Sequence, residues 1–302
     1  MTCFPGSEPS RGSAVAAGRG VGNAVELRVG RTATMSDFDA STIAEALEVL
    51  ATNGVEADAW TVLSSSNRLV LELRPCGLIA KVVQVERYEE LAREVAVAKH
   101  VVACKGPAAA PAASSHGPYR GSRLAVSVWH PVAVLGELSE PDAWGAYLEL
   151  RRCLDSFAGD LPDFRQAIAG ARGLVEESEL RGLGDGDAAF LRGIFDSNLS
   201  ALSAFPRSHR VLHGDPHAAN VVLTAEGPRW LEFESACAGP LEWDLSALQS
   251  CAPNVPHDSG LLRVLVSLRR ACVVAWCSAK RNPTGPELDA IAYHLDALKA
   301  EV

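Results

Sequence analysis

The stretch from Val211 to Leu245 constrains the fold most, because it sets short apolar runs directly against costly polar clusters. Val211-Leu212 opens a strand that meets His213-Gly214-Asp215-Pro216-His217, and Asn220 precedes a second run, Val221-Val222-Leu223. A turn at Glu226-Gly227-Pro228 leads into a third strand expected to end in Glu232-Phe233-Glu234. Polar groups at the ends of buried strands cost free energy unless they are paired, so they are seldom filler. Strands joined by a Gly-Pro turn bring Asp215, Asn220 and Glu232 to one end of a hairpin. A carboxylate, an amide and a second carboxylate form a hard-oxygen set suited to Mg2+ carrying substrate phosphates.

Upstream, residues 39–53 place Ile43, Leu47 and Leu50 at helical spacing and stop at Asn53-Gly54, with Glu45 and Glu48 facing out. Residues 60–63, 69–73 and 78–83 read as three antiparallel strands joined by turns at 64–67 and 75–77. Lys81 interrupts the third strand in a chain with five lysines against 23 arginines. A half-buried ammonium needs an anion. The helix predicted over 88–102 offers one: Leu91, Val95, Ala98 and Val102 form its apolar stripe, Glu94 shares that face, and Glu90 is the fallback. After a Pro/Ala-rich loop at 105–120, residues 124–131 read as a strand. Helices are predicted from Ser139 toward Phe157, from near Asp187, over 242–249 and 261–279, and from Glu287 onward. The acidic residues between 155 and 187 read as loops.

The motifs His213-Gly214-Asp215 with Asn220, Leu231-Glu232-Phe233-Glu234 and Trp243-Asp244-Leu245 resemble the catalytic and metal-binding loops of the aminoglycoside phosphotransferase/choline kinase family. The resemblance implies an α+β, two-lobed protein-kinase-like fold. It has a small antiparallel N-lobe with one main helix and a larger, mostly helical C-lobe. Residues 1–36, rich in Gly, Ser, Ala and Arg and without an apolar period, read as a disordered tail, and the resemblance divides the rest into a nucleotide-binding lobe (37–131) and a catalytic and substrate lobe (132–302). It implies ATP and Mg2+, with Asp215 as the base that takes a substrate hydroxyl's proton and Asn220 and Glu232 as metal ligands. His213 and Asp244 become structural members of the loop. Lys81 and Glu94 become the strand–helix pair that reaches nucleotide phosphates. Ser65 and Ser66 would fall in the phosphate-covering turn, and Val128, Trp129 and His130 at the nucleotide-holding hinge.

Glu232 departs from the family, which carries aspartate there. One methylene moves the carboxylate by about 1 Å, an error that can cost about 100-fold in rate. The expected function is therefore an ATP-dependent small-molecule kinase, with a nucleotide-binding pseudokinase as the alternative. A third reading treats His213, Asp215 and His217 as a zinc-hydrolase ligand set, since alternate strand residues share a face. A net charge of −9 argues against nucleic acid or anionic membranes as partners and is compatible with a cationic acceptor. No obligate protein partner is implied. The chain contains no run of eighteen uncharged apolar residues and no secretory signal, and its eight cysteines form no C-x-x-C pair, which together suggest a cytoplasmic protein with free thiols. Translation starting at Met35 rather than Met1 is compatible with this pattern. Gly18-Arg19-Gly20-Val21-Gly22 lacks the flanking strand and helix of a phosphate loop.

Overall fold

The computed structural model describes residues 40–65, 68–112, 117–177, 180–184, 186–248, 255–280 and 282–301. The expected tail at 1–36 lies outside the described residues, as do Ser66, Asn67, Cys3 and Cys251.

Helix α1 (Ala40–Thr52) precedes strands β1 (Ala59–Ser65), β2 (Leu69–Arg74) and β3 (Leu78–Gln84). Helix α2 (Tyr88–Ala103), β4 (Tyr119–Arg120) and β5 (Leu124–Trp129) complete the first half. The five strands form an antiparallel sheet in the order β1-β2-β3-β5-β4. Period-two alternation gives the sheet two distinct faces. Leu69, Leu71, Leu73, Ala80, Val82, Val126 and Val128 pack with Ile43, Ala46 and Leu50 of α1. The opposite face carries Val70, Lys81, Ser127 and Trp129, with Lys81 opposite Val70 and Ser127 in the register. Glu45 does not simply face outward: it accepts from Ser122 Oγ at 3.1 Å and Arg123 Nε at 2.8 Å, tying α1 to the sheet.

In α2 the buried face is Leu91, Glu94, Val95, Ala98 and Val101, joined by Val97. The stripe therefore ends at Val101 rather than Val102, which is exposed. Val102 keeps the helical spacing of Leu91, Val95 and Ala98, but it stands one residue from the C-terminal end of α2, where its side chain is exposed.

The second half contains β6 (Gly136–Glu137), α3 (Glu140–Leu154), α4 (Arg165–Glu177), α5 (Asp187–Leu202), β7 (Arg210–Leu212), β8 (Val221–Thr224), β9 (Gly227–Trp230), β10 (Cys237–Gly239), α6 (Leu241–Leu245), α7 (Ser259–Ser278) and α8 (Gly285–Ala300). Helix α4 occupies part of the segment read as acidic loop. Its buried face, Ile168, Ala171 and Val175, is helical in spacing, but Gly170 and Gly173 dilute the signal. The stretch read as a helix over 242–249 is only the short α6, within the described residues. The β8–β9 hairpin forms as expected, with Val221 opposite Trp230. The strand stops at Trp230, however, instead of running to Glu234: Glu232 turns into the left-handed region (φ 63°) and Phe233–Ser235 form a 3-10 turn.

Two apolar cores hold the second half in place. One packs Phe164, Ile168, Phe195, Leu212, Trp243, Leu268 and Cys272 between α4, α5 and α7. The other joins the lobes: Val95, Val97 and Val101 of α2 meet Tyr147 and Leu150 of α3, with Trp129, Trp230 and Phe233. The result is a two-lobed α+β fold, a small sheet lobe seated through α2 on a mostly helical one.

The position of the α2 stripe is testable. Val101→Lys, which buries an unpaired ammonium in the interlobe core, should lower stability by several kcal/mol. Val102→Lys should change it by no more than about 0.5 kcal/mol, both read by urea denaturation.

Candidate active site

Strand β7 pairs antiparallel with β10 (Leu212 opposite Cys237) and delivers residues 213–217 to the base of the interlobe cleft. Gly214 (φ 87°) is required there, because a Cβ would collide with the carbonyl of Ser235. Buried Asp244 fixes the turn: its carboxylate accepts from His213 N at 3.0 Å, Gly214 N at 2.8 Å and the Tyr147 hydroxyl at 2.7 Å. Burial and the adjacent Asp244 push the Tyr147 hydroxyl well above its usual pKa, so it stays a donor.

His213 is fully buried against the rings of Trp230 and Phe233. Its Nε2 lies 3.1 Å from Leu231 O and its Nδ1 receives Asp215 N at 3.3 Å. Burial lowers its pKa, which keeps the ring neutral: Nε2–H donates and Nδ1 accepts. Both nitrogens being taken by backbone, His213 has none left for a metal. Among the described residues, the three-residue group that brings ligand atoms of His, Cys, Asp or Glu within 4.8 Å is Glu94, Glu232 and Glu234. The His213–Asp215–His217 zinc set therefore does not form.

Asp215 is held from two sides. Arg269 Nη1 of α7 lies 3.2 Å from Oδ1, and His217 Nε2 lies 3.3 Å from Oδ2. Against the cost of burial, His217 and then Arg269 hold this carboxyl well below the usual carboxylate range, and Asp215 in turn raises His217. Arg269 is buried and fully engaged: Nη2 donates to Gly214 O and Trp243 O, each at 2.9 Å, and Nε donates to Ser246 Oγ at 3.0 Å. Its guanidinium also stacks 3.8 Å over the Trp243 ring. Arg269 was not singled out from the sequence. The signal was there, in an arginine pair (Arg269-Arg270) inside an apolar helical run.

Asn220 ends the 3-10 turn Ala218–Asn220 and donates from Nδ2 to Asp215 O at 2.9 Å, which leaves its amide oxygen for a cation. Glu232 is buried, and its carboxylate meets two cations from the sheet lobe. Lys81 Nζ lies 3.3 Å from Oε1 while also contacting Glu94 Oε1, and Arg68 Nη2 contacts Oε2. Arg68 also reaches Glu234 Oε1 at 3.2 Å. The guanidinium of Arg93 on α2 holds the Glu234 carbonyl at 2.8 Å, and Glu90 pairs with Arg87 rather than with Lys81. Burial, with Glu234 and Glu94 nearby, pushes Glu232 up to about 7 although Lys81 and Arg68 oppose the rise. Against its own burial, Glu234 is held by Arg68 and Lys81 down to about 2. Buried Glu234 Oε2 and Glu94 Oε2 receive no hydrogen bond. A hard divalent cation such as Mg2+ fits this donor set through Asn220, Glu232 and Glu234.

Glu232 lines two cavities. One, of about 50 Å3, lies between Val70, Ile79, Lys81, Trp129, His130 and Trp230. The other, of about 140 Å3, lies between Asp215, His217, Asn220, Val273, Trp276, Lys280 and Glu287. Trp129 and His130 thus face the first cavity, with Lys81 Nζ 4.8 Å from the Trp129 ring centre. Val128 does not, because period-two alternation sends its side chain into the α1 core and its carbonyl accepts from Ala112 N at 2.9 Å. Ser65 closes β1 opposite Leu69 and does not line either cavity, and its buried hydroxyl has no hydrogen-bond partner.

A sheet lobe set through one helix on a helical lobe, with paired carboxylates at the cleft, defines the protein-kinase-like class. The model of the phosphotransferase enzyme family matches residues 49–266, and the chain belongs to that family. Among solved structures, choline kinase LicA from Streptococcus pneumoniae aligns at TM-score 0.60 and 11% identity, over 86% of this chain and 99% of that one. Amicoumacin kinase hAmiN, in complex with AMP-PNP, Ca2+ and Ami, aligns at 0.59 and 12%, over 80% and 88%. A thermostable aminoglycoside phosphotransferase APH(4)-Ia, in a ternary complex with AMP-PNP and hygromycin B, aligns at 0.59 and 12%, over 85% and 97%. No curated protein sequence matches the chain.

The Asp215 environment sets an acid dependence. A carboxyl whose folded pKa is lowered stabilises the fold above its unfolded value, about 3.9, and that contribution is lost as pH falls toward the folded value. Asp215→Asn should therefore flatten the fall in stability below about pH 4, measured by urea denaturation at stepped pH.

Proposed function

We propose that the protein is a kinase of small hydroxylated molecules, moving the γ-phosphoryl group of ATP to a substrate hydroxyl. Convergence carries this reading: Lys81 and Glu232, 151 positions apart, meet at one buried cluster, and Glu232 joins the Trp129 cavity to the Asp215 cavity. The first cavity receives the nucleotide and the second the acceptor. At about 50 Å3 the first has room for only a few waters. On this reading a purine needs more room than that, so nucleotide entry entails movement of the cavity's lining. The nucleotide lobe corresponds to residues 37–131 and the catalytic and substrate lobe to 132–302.

In this mechanism the acceptor oxygen bonds to the γ-phosphorus as the bond to the ADP oxygen breaks, and the hydroxyl proton passes to Asp215. Arg269 and His217 keep Asp215 ionised at neutral pH, so it acts chiefly by aiming the hydroxyl and takes the proton late. Lys81, oriented by Glu94, offers its ammonium to phosphate oxygens. Mg2+ held by Asn220 and Glu232, with Glu234 adjoining, would neutralise developing phosphate charge. His213 and Asp244 keep the Asp215 turn in shape. The acceptor wall of Val273, Trp276, Lys280 and Glu287 supports a compact acceptor. The amicoumacin, hygromycin B and choline kinase neighbours suggest amino-bearing hydroxyl compounds as the first panel.

A second reading, a nucleotide-binding pseudokinase, draws support from Glu232. Its carboxylate is pushed up to about 7 and is engaged by Lys81 and Arg68.

Radiolabelled ATP and GTP tested against hydroxylated metabolites and antibiotics should give labelled product on the kinase reading. Asp215→Asn should cut transfer by about 1000-fold or more while the Mg2+–nucleotide thermal shift persists. Retained turnover would remove Asp215 from its role. Nucleotide binding with no transfer to any acceptor, together with transfer appearing in Glu232→Asp, would instead establish the pseudokinase reading.

A further inference from the structure

Arg68 places a cation where the proposed metal site calls for one. From the segment just before β2, its guanidinium crosses to the turn after β9, contacting Glu232 Oε2 and, at 3.2 Å, Glu234 Oε1. It is only 7% exposed. Against the cost of burial, Glu234, Glu232 and Glu94 raise its pKa, so it is a permanent charge here. Both carboxylates it bridges belong to the Glu94–Glu232–Glu234 group, and buried Glu234 Oε2 in that group still lacks a donor.

Charge balance decides what else the cluster can hold. With all groups ionised, three carboxylates against Lys81 and Arg68 leave one negative charge. Exchanging Arg68 for a divalent ion makes the cluster neutral. Holding both leaves a net positive charge out of water, and an uncompensated buried charge is strongly unfavourable.

We propose that Arg68 is the resident cation of this site, and that a divalent metal binds at Glu232 and Glu234 only by exchange with it. This rests on the reading of Asn220 and Glu232 as metal ligands. Arg68 immediately precedes β2 of the sheet lobe, so a guanidinium withdrawn from the two carboxylates remains tethered to that lobe. Incoming phosphates give it a new charge-assisted partner. Metal entry is thereby coupled to nucleotide entry: without nucleotide, an arriving ion finds its ligands taken.

Mn2+ binding to the full-length protein, followed by the paramagnetic resonance of the free ion with and without AMP-PNP, tests the exchange. Without nucleotide, Arg68→Gln should bind Mn2+ at least tenfold more tightly than wild type. Arg68→Lys, which keeps the charge on a stem that forms no fork, should fall between them and preserves the test if the glutamine variant does not fold. AMP-PNP should narrow the gap. The thermal midpoint of Arg68→Gln should fall without metal and gain more from Mn2+ than wild type does. If both variants bind Mn2+ no more tightly than wild type while AMP-PNP confers binding on all three, Arg68 does not compete and the proposal fails with the metal site intact. If none of the three holds Mn2+ even with AMP-PNP, the metal reading of Glu232 falls and takes the exchange with it.

Discussion

The structure depends on compensating charges that have been taken out of water. Lys81 comes from the sheet, Glu94 from α2, Glu232 and Glu234 from the turn after β9, and Arg68 from the start of β2. Removing one partner from such a group costs about 3–5 kcal/mol, because the other charge stays buried and alone. Each element is therefore held to the positions that keep every charge answered. Helix α2 has the most constrained place: Glu94 meets the sheet, Arg93 grips the Glu234 backbone, and the apolar stripe rests on α3.

A second polar knot sets the floor of the cleft. Asp244 gathers donors from His213, Gly214 and Tyr147, while Arg269 spans Gly214, Trp243, Ser246 and Asp215. These contacts satisfy backbone groups in an irregular loop that no sheet or helix could serve. An apolar helix, α7, thus holds the Asp215 turn through one inward-facing arginine.

Much of this was legible in the chain. Strand alternation exposed the sheet, and Lys81 and Glu94 stood out because each breaks an apolar pattern where a lone charge is expensive. Arg68 escaped notice because it sits beside a serine turn, where an arginine is ordinary. The left-handed Glu232 has no sequence signature: Trp230 to Glu234 reads as continuing strand, and only packing against the Asp215 loop turns it. Helix α4 was hidden by its two glycines, and the orientation of Val128 followed only once the register of β5 was known. The glutamate at 232, where the motif resemblance leads one to expect aspartate, stands on left-handed backbone (φ 63°).

The contact between Gly214 and Ser235 has a consequence for how such a protein can diversify. With no space for even a methyl group between them, the loop bearing Asp215 and the turn bearing Glu232 form one rigid cassette. The backbone separation beneath those two carboxylates is set by this contact, and side-chain exchange shifts only the carboxyl groups at its ends. The wall of Val273, Trp276, Lys280 and Glu287, by contrast, is carried by helices α7 and α8 and the segment between them, outside the cassette. Side-chain changes in that wall leave the contact between the two loops untouched.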